Sequence, residues 1–149
     1  MAAGICALFL GTLFTMNSSS METVKMAREA ACASQVLQQR VESLRIANWH
    51  QVTNPDWLKT NLLNGDAAGT ATLKNASETL TIVPYGSATV GNTQLSRSQG
   101  VTTIVNRNTA LLQENAVKII WTLAFIGSPN GRQNTRQTVA ILAKGGVAK

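Results

Sequence analysis

The chain has 149 residues, a length that suits one domain with a sizeable core. It carries 13 basic and 7 acidic side chains, for a net charge of +6. Charged residues make up 13% of it and aromatics 5%, against about 25% charged in an ordinary globular domain, so the core must be built mostly of Ala, Val, Ile and Leu. His50 is the only histidine and has no Cys or carboxylate at ligand spacing. No Gly-x-Ser-x-Gly, Walker loop, Cys-x-x-Cys or paired-carboxylate pattern occurs. No catalytic, cofactor-binding or metal-ligating residue is therefore expected, and the chain does not read as an enzyme.

The first element is "MAAGICALFLGTLFTM", without a single charge. A secretory signal needs basic residues ahead of its apolar core, whereas the first two here, Lys25 and Arg28, come after it. A membrane-spanning helix needs about 20 apolar residues, and 16 rise only about 24 Å. The run is slightly short to span a bilayer and too apolar to stand in water.

No Pro separates this run from the amphipathic stretch that follows. Met26, Ala30, Ala33, Leu37, Val41 and Leu44 recur at spacings of three and four, which marks one face of a helix. The pattern predicts one continuous helix from about residue 1 to about residue 48, roughly 70 Å long. Its segments are 1–20, apolar all round, and 21–49, apolar on one stripe. Cys6 and Cys32 lie about 39 Å apart on such a rod, far beyond disulfide reach, and are read as small packing residues.

Residues 50–149 form the globular part. A short helix is expected over 54–64, capped by Asn54, with Pro55 at its first position and Gly65 at its stop. "GTATLKN" and "ETLTIVPY" read as two short strands, a polar Gly/Ser/Asn/Gln stretch as a loop, and "GVTTIVNR" as a strand. "NAVKIIWTLAFI" and "RQNTRQTVAILAK" read as a hairpin around Asn130-Gly131. The helix stripe and the alternating strand faces are the two large apolar surfaces after residue 20, and each must be covered. Leu37, Val41 and Leu44 are accordingly expected to pack beneath the hairpin, with Trp121, Val139 and Ile141 among their covers.

A long helix, apolar first and amphipathic later, followed by an antiparallel sheet, resembles the type IV pilin and type II secretion pseudopilin superfamily. Two local patterns carry the likeness to bacterial prepilin-type proteins. One is the helix exit "REAACASQVLQQRVESLRIANW". The other is the hairpin "VKIIWTLAFIGSPNGRQNTRQTVAILAKGGV", with its strand Trp, Gly-rich turn and closing Gly-Gly. The family's basic leader, processing Gly and Phe-Thr-Leu-x-Glu start have no counterpart, and no acidic residue precedes Glu22. The sequence is expected to begin inside the helix, a turn or two past the mature start.

The resemblance implies an α+β, pilin-like fold and a structural subunit of a type IV pilus-like filament. Ile5, Leu8, Phe9, Leu10, Leu13 and Phe14 would pack the filament core against neighbouring copies. The inner membrane would hold the subunit before pilus or secretion machinery assembles it into an extracellular filament. The alternative is a pseudopilin of a type II secretion system, in a periplasmic pseudopilus. A further reading is a membrane-anchored module binding nucleic acid through Lys74, Arg97, Arg107, Lys118, Arg132, Arg136, Lys144 and Lys149. With few aromatics to stack bases, such binding would rest on phosphate contacts.

Overall fold

The computed structural model describes residues 2–86, 91–128 and 131–145, with the backbone alone given for 2–9. One helix, α1 (Ala2–Ile46), runs without a break from the apolar opening into the amphipathic stretch. At 1.5 Å per residue it is about 68 Å long. A five-stranded sheet follows, made of β1 (Lys74–Pro84), β2 (Thr93–Ser98), β3 (Val101–Asn106), β4 (Ala116–Ile126) and β5 (Gln133–Ala143). Every pairing is antiparallel, in the order β3-β2-β1-β4-β5. The fold is therefore α+β, with the C-terminal part of α1 laid against one face of the sheet.

Between helix and sheet lie α2 (Trp49–Val52) and α3 (Pro55–Trp57). Asn48 caps the first by a reciprocal bond with Gln51. Asn54 caps the second, accepting from the Asp56 and Trp57 amides, and Pro55 fills its first position. The expected 54–64 helix loosens after Trp57 into a π-type turn, Leu58–Leu62, closed by the Leu63 amide on the Leu58 carbonyl.

Three expectations for the strands are corrected. The two short runs before residue 86 are one strand, β1, with an irregular register between Lys74 and Ser77 that absorbs the extra residues. The first of them begins instead in a 3₁₀ turn, Thr70–Thr72, entered through Gly69 at φ +96°, and the space above Gly69 is taken by Cys32. The polar stretch after residue 90 holds β2, joined to β3 by Gln99 and Gly100. Both have positive φ, as a two-residue hairpin turn requires. The third correction concerns Val139 and Ile141.

Residues directly opposite on antiparallel strands share a face. Trp121 faces Thr138, Ile119 faces Ala140 and Val117 faces Leu142. The inward set of β5 is thus Thr138, Ala140 and Leu142, which puts Val139 and Ile141 on the outer face, 51% and 55% exposed. They do not cover the helix. On α1, Ala33, Val36, Leu37, Arg40 and Leu44 are buried, while Val41 sits half-buried at the margin and Met26 is exposed. Leu80, Ile82, Leu95, Ile119, Trp121 and Leu123 close the core from the sheet side. Of the expected turn pair Asn130-Gly131, Asn130 lies outside the described residues; Gly131, at φ +64°, donates its amide to the Gly127 carbonyl.

An exposed pair ties α3 to the segment after β3. Arg107 donates from Nη1 and Nη2 to the two Asp56 oxygens at 2.6 Å each. This bond holds the Asp56 carboxyl below its ordinary value and raises Arg107. A depressed aspartate stabilises the fold above the unfolded aspartate value of about 3.9, and that contribution is lost as pH falls through the folded value. Asp56→Asn should lower the thermal midpoint slightly near pH 6 and by less near pH 2. An equal deficit at both pH values, measured by scanning calorimetry, would exclude the ion pair as its cause.

Candidate functional site: the free segment of the long helix

The first hydrogen bond from α1 to the sheet domain is at Glu29, whose carboxylate accepts from the Ser128 amide at 3.0 Å, and Met26, a turn earlier, lines a cavity with Phe125 and Arg136. Before Met26 the helix makes no hydrogen bond to the domain among the described residues, over a length of roughly 36 Å. Along it Leu10, Leu13, Phe14, Met16, Met21 and Val24 are exposed, Phe14 to 83%. Offsets of three and four residues place Leu10, Leu13, Phe14, Met21 and Val24 along one stripe, about 100° wide, with Met16 to one side of it. Contiguous apolar surface on this scale marks an interaction site.

Three hydroxyls of the segment bond back within the helix. Thr15 Oγ1 donates to the Thr12 carbonyl, Ser20 Oγ to Met16 and Thr23 Oγ1 to Ser19, all at 2.9–3.0 Å. Back-bonding of this kind lets Ser and Thr leave water without an outside partner, so the rod can be covered by apolar neighbours at little polar cost. Of the residues assigned to subunit packing, Leu10, Leu13 and Phe14 are placed here. Ile5, Leu8 and Phe9 lie on the α1 backbone, and their side chains are outside the described residues. No helix among the described residues is long and apolar enough to cross a membrane.

Beneath the sheet lies a second arrangement that no sequence pattern announced. Glu78 of β1 is 2% exposed and receives Arg40 of α1 at two oxygens, from Nε and Nη2, each at 2.9 Å. Arg97 of β2 approaches the same carboxylate at 3.9 Å. Arg40 and Arg97 are themselves 6% and 5% exposed. Arg40 also donates to the Leu62 carbonyl and, at 2.8 Å, to that of Gly65. Arg97 donates to the Leu63 carbonyl at 3.0 Å and to Asp66 at 2.5 Å. Two cations, the buried Glu78 carboxylate and the more exposed Asp66 carboxylate thus fasten helix, sheet and the 62–66 segment together. The guanidinium of Arg40 lies 5.9 Å from the centre of the Trp121 ring, within cation–π range.

This network takes Arg97 out of the set of cations expected to bind nucleic acid. Arg97 is buried and occupied, and Arg107 is engaged with Asp56. Lys118, Arg132 and Arg136 remain, spread along the β4–β5 hairpin, with Lys144 just beyond β5 and Lys74 at the start of β1; Lys149 lies outside the described residues. Among the described residues no His, Cys, Asp and Glu side chains gather in a group able to hold a metal ion.

The chain is thus an α+β protein with a free apolar helix segment ahead of a sheet domain that is pinned to the same helix. No family model matches the sequence, and neither the curated proteins nor the solved structures contain a match.

Proposed function

We propose that this protein is a pilin-like structural subunit that assembles into a type IV pilus-like filament through the free segment of α1. The observation that carries the reading is the division of one helix into two environments. From Glu29 onward it is fastened to its own sheet; before Met26 its exposed Leu, Phe, Met and Val side chains stand open to solvent. Burying each large apolar side chain against a neighbouring copy contributes about 1.5–3 kcal/mol. A head-to-tail contact that does not close into a ring repeats along an open helical array. Before assembly the same segment would rest in the inner membrane. Residue patterns and fold apply equally to a pseudopilin, so the reading is at the level of the shared assembly principle.

Leu10→Asp and Phe14→Asp each place a charge on this surface while leaving the sheet domain untouched. Cells producing either variant should accumulate folded subunit and show no filaments by electron microscopy, where the unaltered chain forms a helical lattice. Filaments of normal length and number from both variants would overturn the proposal.

A further inference from the structure

The two edges of the sheet are built differently. β3 is short, six residues, and its register against β2 is broken between Gln94 and Leu95. Shortness and irregularity are ordinary protections of an edge. β5 is eleven residues long, pairs with β4 without a single register shift, and contains no Pro and no acidic residue.

The direction of its free backbone groups follows from the ends of the hairpin. The Lys144 amide donates to the Asn115 carbonyl, and the Arg132 carbonyl accepts from the Gly127 amide. In an antiparallel pair both groups of one residue point to the same side, and the side alternates along the strand. Residues 136, 138, 140 and 142 therefore face β4. Thr135, Gln137, Val139, Ile141 and Ala143 direct N–H and C=O outward, and no hydrogen bond to these groups exists among the described residues.

We propose that β5 is a docking edge for an extended acidic peptide segment of a partner protein, which adds as a sixth strand. Main-chain bonds to the five outward-facing residues would supply affinity. Specificity comes from the side chains beside that edge. Val139 and Ile141 offer two exposed β-branched neighbours on the outer face, to be met by apolar residues of the incoming strand. Arg136 on the opposite face, with Arg132 and Lys144 at the ends, selects acidic residues at the alternate positions, and Lys118, opposite Ile141 and on its face, adds to the positive field. From residue 115 to the C-terminus the chain has five basic side chains (Lys118, Arg132, Arg136, Lys144, Lys149) and no acidic one. That imbalance disfavours a second copy of β5 as the occupant, because like charges on paired strands repel. Nucleic acid would use the same cations but has no need of the unpaired amides or of Val139 and Ile141. The inference stands apart from the filament reading, since it involves neither the free helix segment nor its surroundings.

The test uses the full chain in nonionic detergent and a fluorescent ten-residue synthetic peptide alternating Val or Ile with Glu or Asp, with binding read by anisotropy. The peptide should bind, and methylating the amides on its β5-facing edge should weaken it at least tenfold. Val139→Pro removes an outward N–H and leaves the bonds to β4 intact, since Pro is tolerated on the free side of an edge strand. It should cost at least tenfold in binding with its thermal midpoint nearly unchanged. Gln137→Pro is the second variant should that one unfold. Arg136→Glu should weaken the acidic peptide and favour its Lys-substituted counterpart. Three outcomes overturn the proposal: no binding at low salt, equal binding of acidic and basic peptides, or insensitivity to amide methylation. It is also overturned if a single-stranded oligonucleotide binds the same site more tightly, or if the chain pairs with itself in a dimer that Val139→Pro dissolves.

Discussion

Glu78→Ala should lower the thermal midpoint of this protein by about 10 °C or more, among the largest effects of any single substitution in the sheet. The carboxylate is the one buried anion between two buried guanidiniums, Arg40 and Arg97. Removing one partner of a buried ion pair costs about 3–5 kcal/mol, because the charge left behind has neither water nor a counter-ion. For a domain of this size 1 kcal/mol is worth roughly 2–4 °C, and total stability is about 5–15 kcal/mol. Asp66 cannot take over, since its carboxylate is largely exposed and reaches Arg97 alone. Glu78→Gln tests the electrostatic part of the argument. It keeps the shape and one acceptor oxygen but no charge, and should lose most of what the Ala variant loses. The double change Glu78→Leu with Arg40→Met should recover part of the deficit, since an apolar pair avoids the desolvation cost on both sides. A midpoint for Glu78→Gln equal to that of the unaltered chain would show that the network is held by packing and not by charge.

The same three residues explain where the sequence was legible and where it was not. The long helix was readable because its length and its 3.6-residue period are unbroken apart from Arg40. The β4–β5 hairpin was readable because β4 alternates cleanly from Val117 to Phe125. β2 was missed because its inward positions are Thr93, Leu95 and Arg97, so a charge stands where period-two reading looks for an apolar residue. The helix stripe was shifted for the same reason: Val41 was chosen over Arg40, although Arg40 faces the sheet. Inward charges that satisfy one another across three elements leave no local signature, because each partner is dozens of residues away. The face of β5 failed for a different reason. Val139 and Ile141 are its most hydrophobic pair, yet the register set by the hairpin turns them outward and leaves Ala140 and Leu142 inside. A one-residue slip exchanges the faces of a strand, and composition alone does not reveal which way it falls. For the free segment of α1, the sequence located the apolar surface, and the geometry added that the hydroxyls of Thr15, Ser20 and Thr23 are already bonded within the helix.

Trp121→Ala should destabilise the protein by about 3–5 kcal/mol, through the cavity it leaves and the surface it no longer buries. Trp121 is the largest fully buried side chain, set between Leu80 on β1 and Thr138 on β5 and directly under the Arg40 guanidinium. Its position makes it the packing link between sheet and helix, alongside the ionic link through Glu78. One atom of it works against the fold: the indole Nε1–H is buried and has no hydrogen-bond partner, and a buried donor left unpaired costs about 1–3 kcal/mol. Trp121→Phe removes that donor together with part of the ring. The lost volume and the weaker cation–π contact are then offset by relief of the orphaned N–H, so the Phe variant should fall far less than the Ala variant, to within about 1–2 kcal/mol of the unaltered chain. Denaturant unfolding of all three chains, followed by near-UV circular dichroism, reads the difference directly. If Phe and Ala are equally damaging, the shape of the indole decides the site and the unpaired donor counts for nothing. If Phe is nearly neutral while Ala is severe, the sheet grips the helix through an apolar plug beneath a guanidinium, and the polar atom of that plug is dispensable.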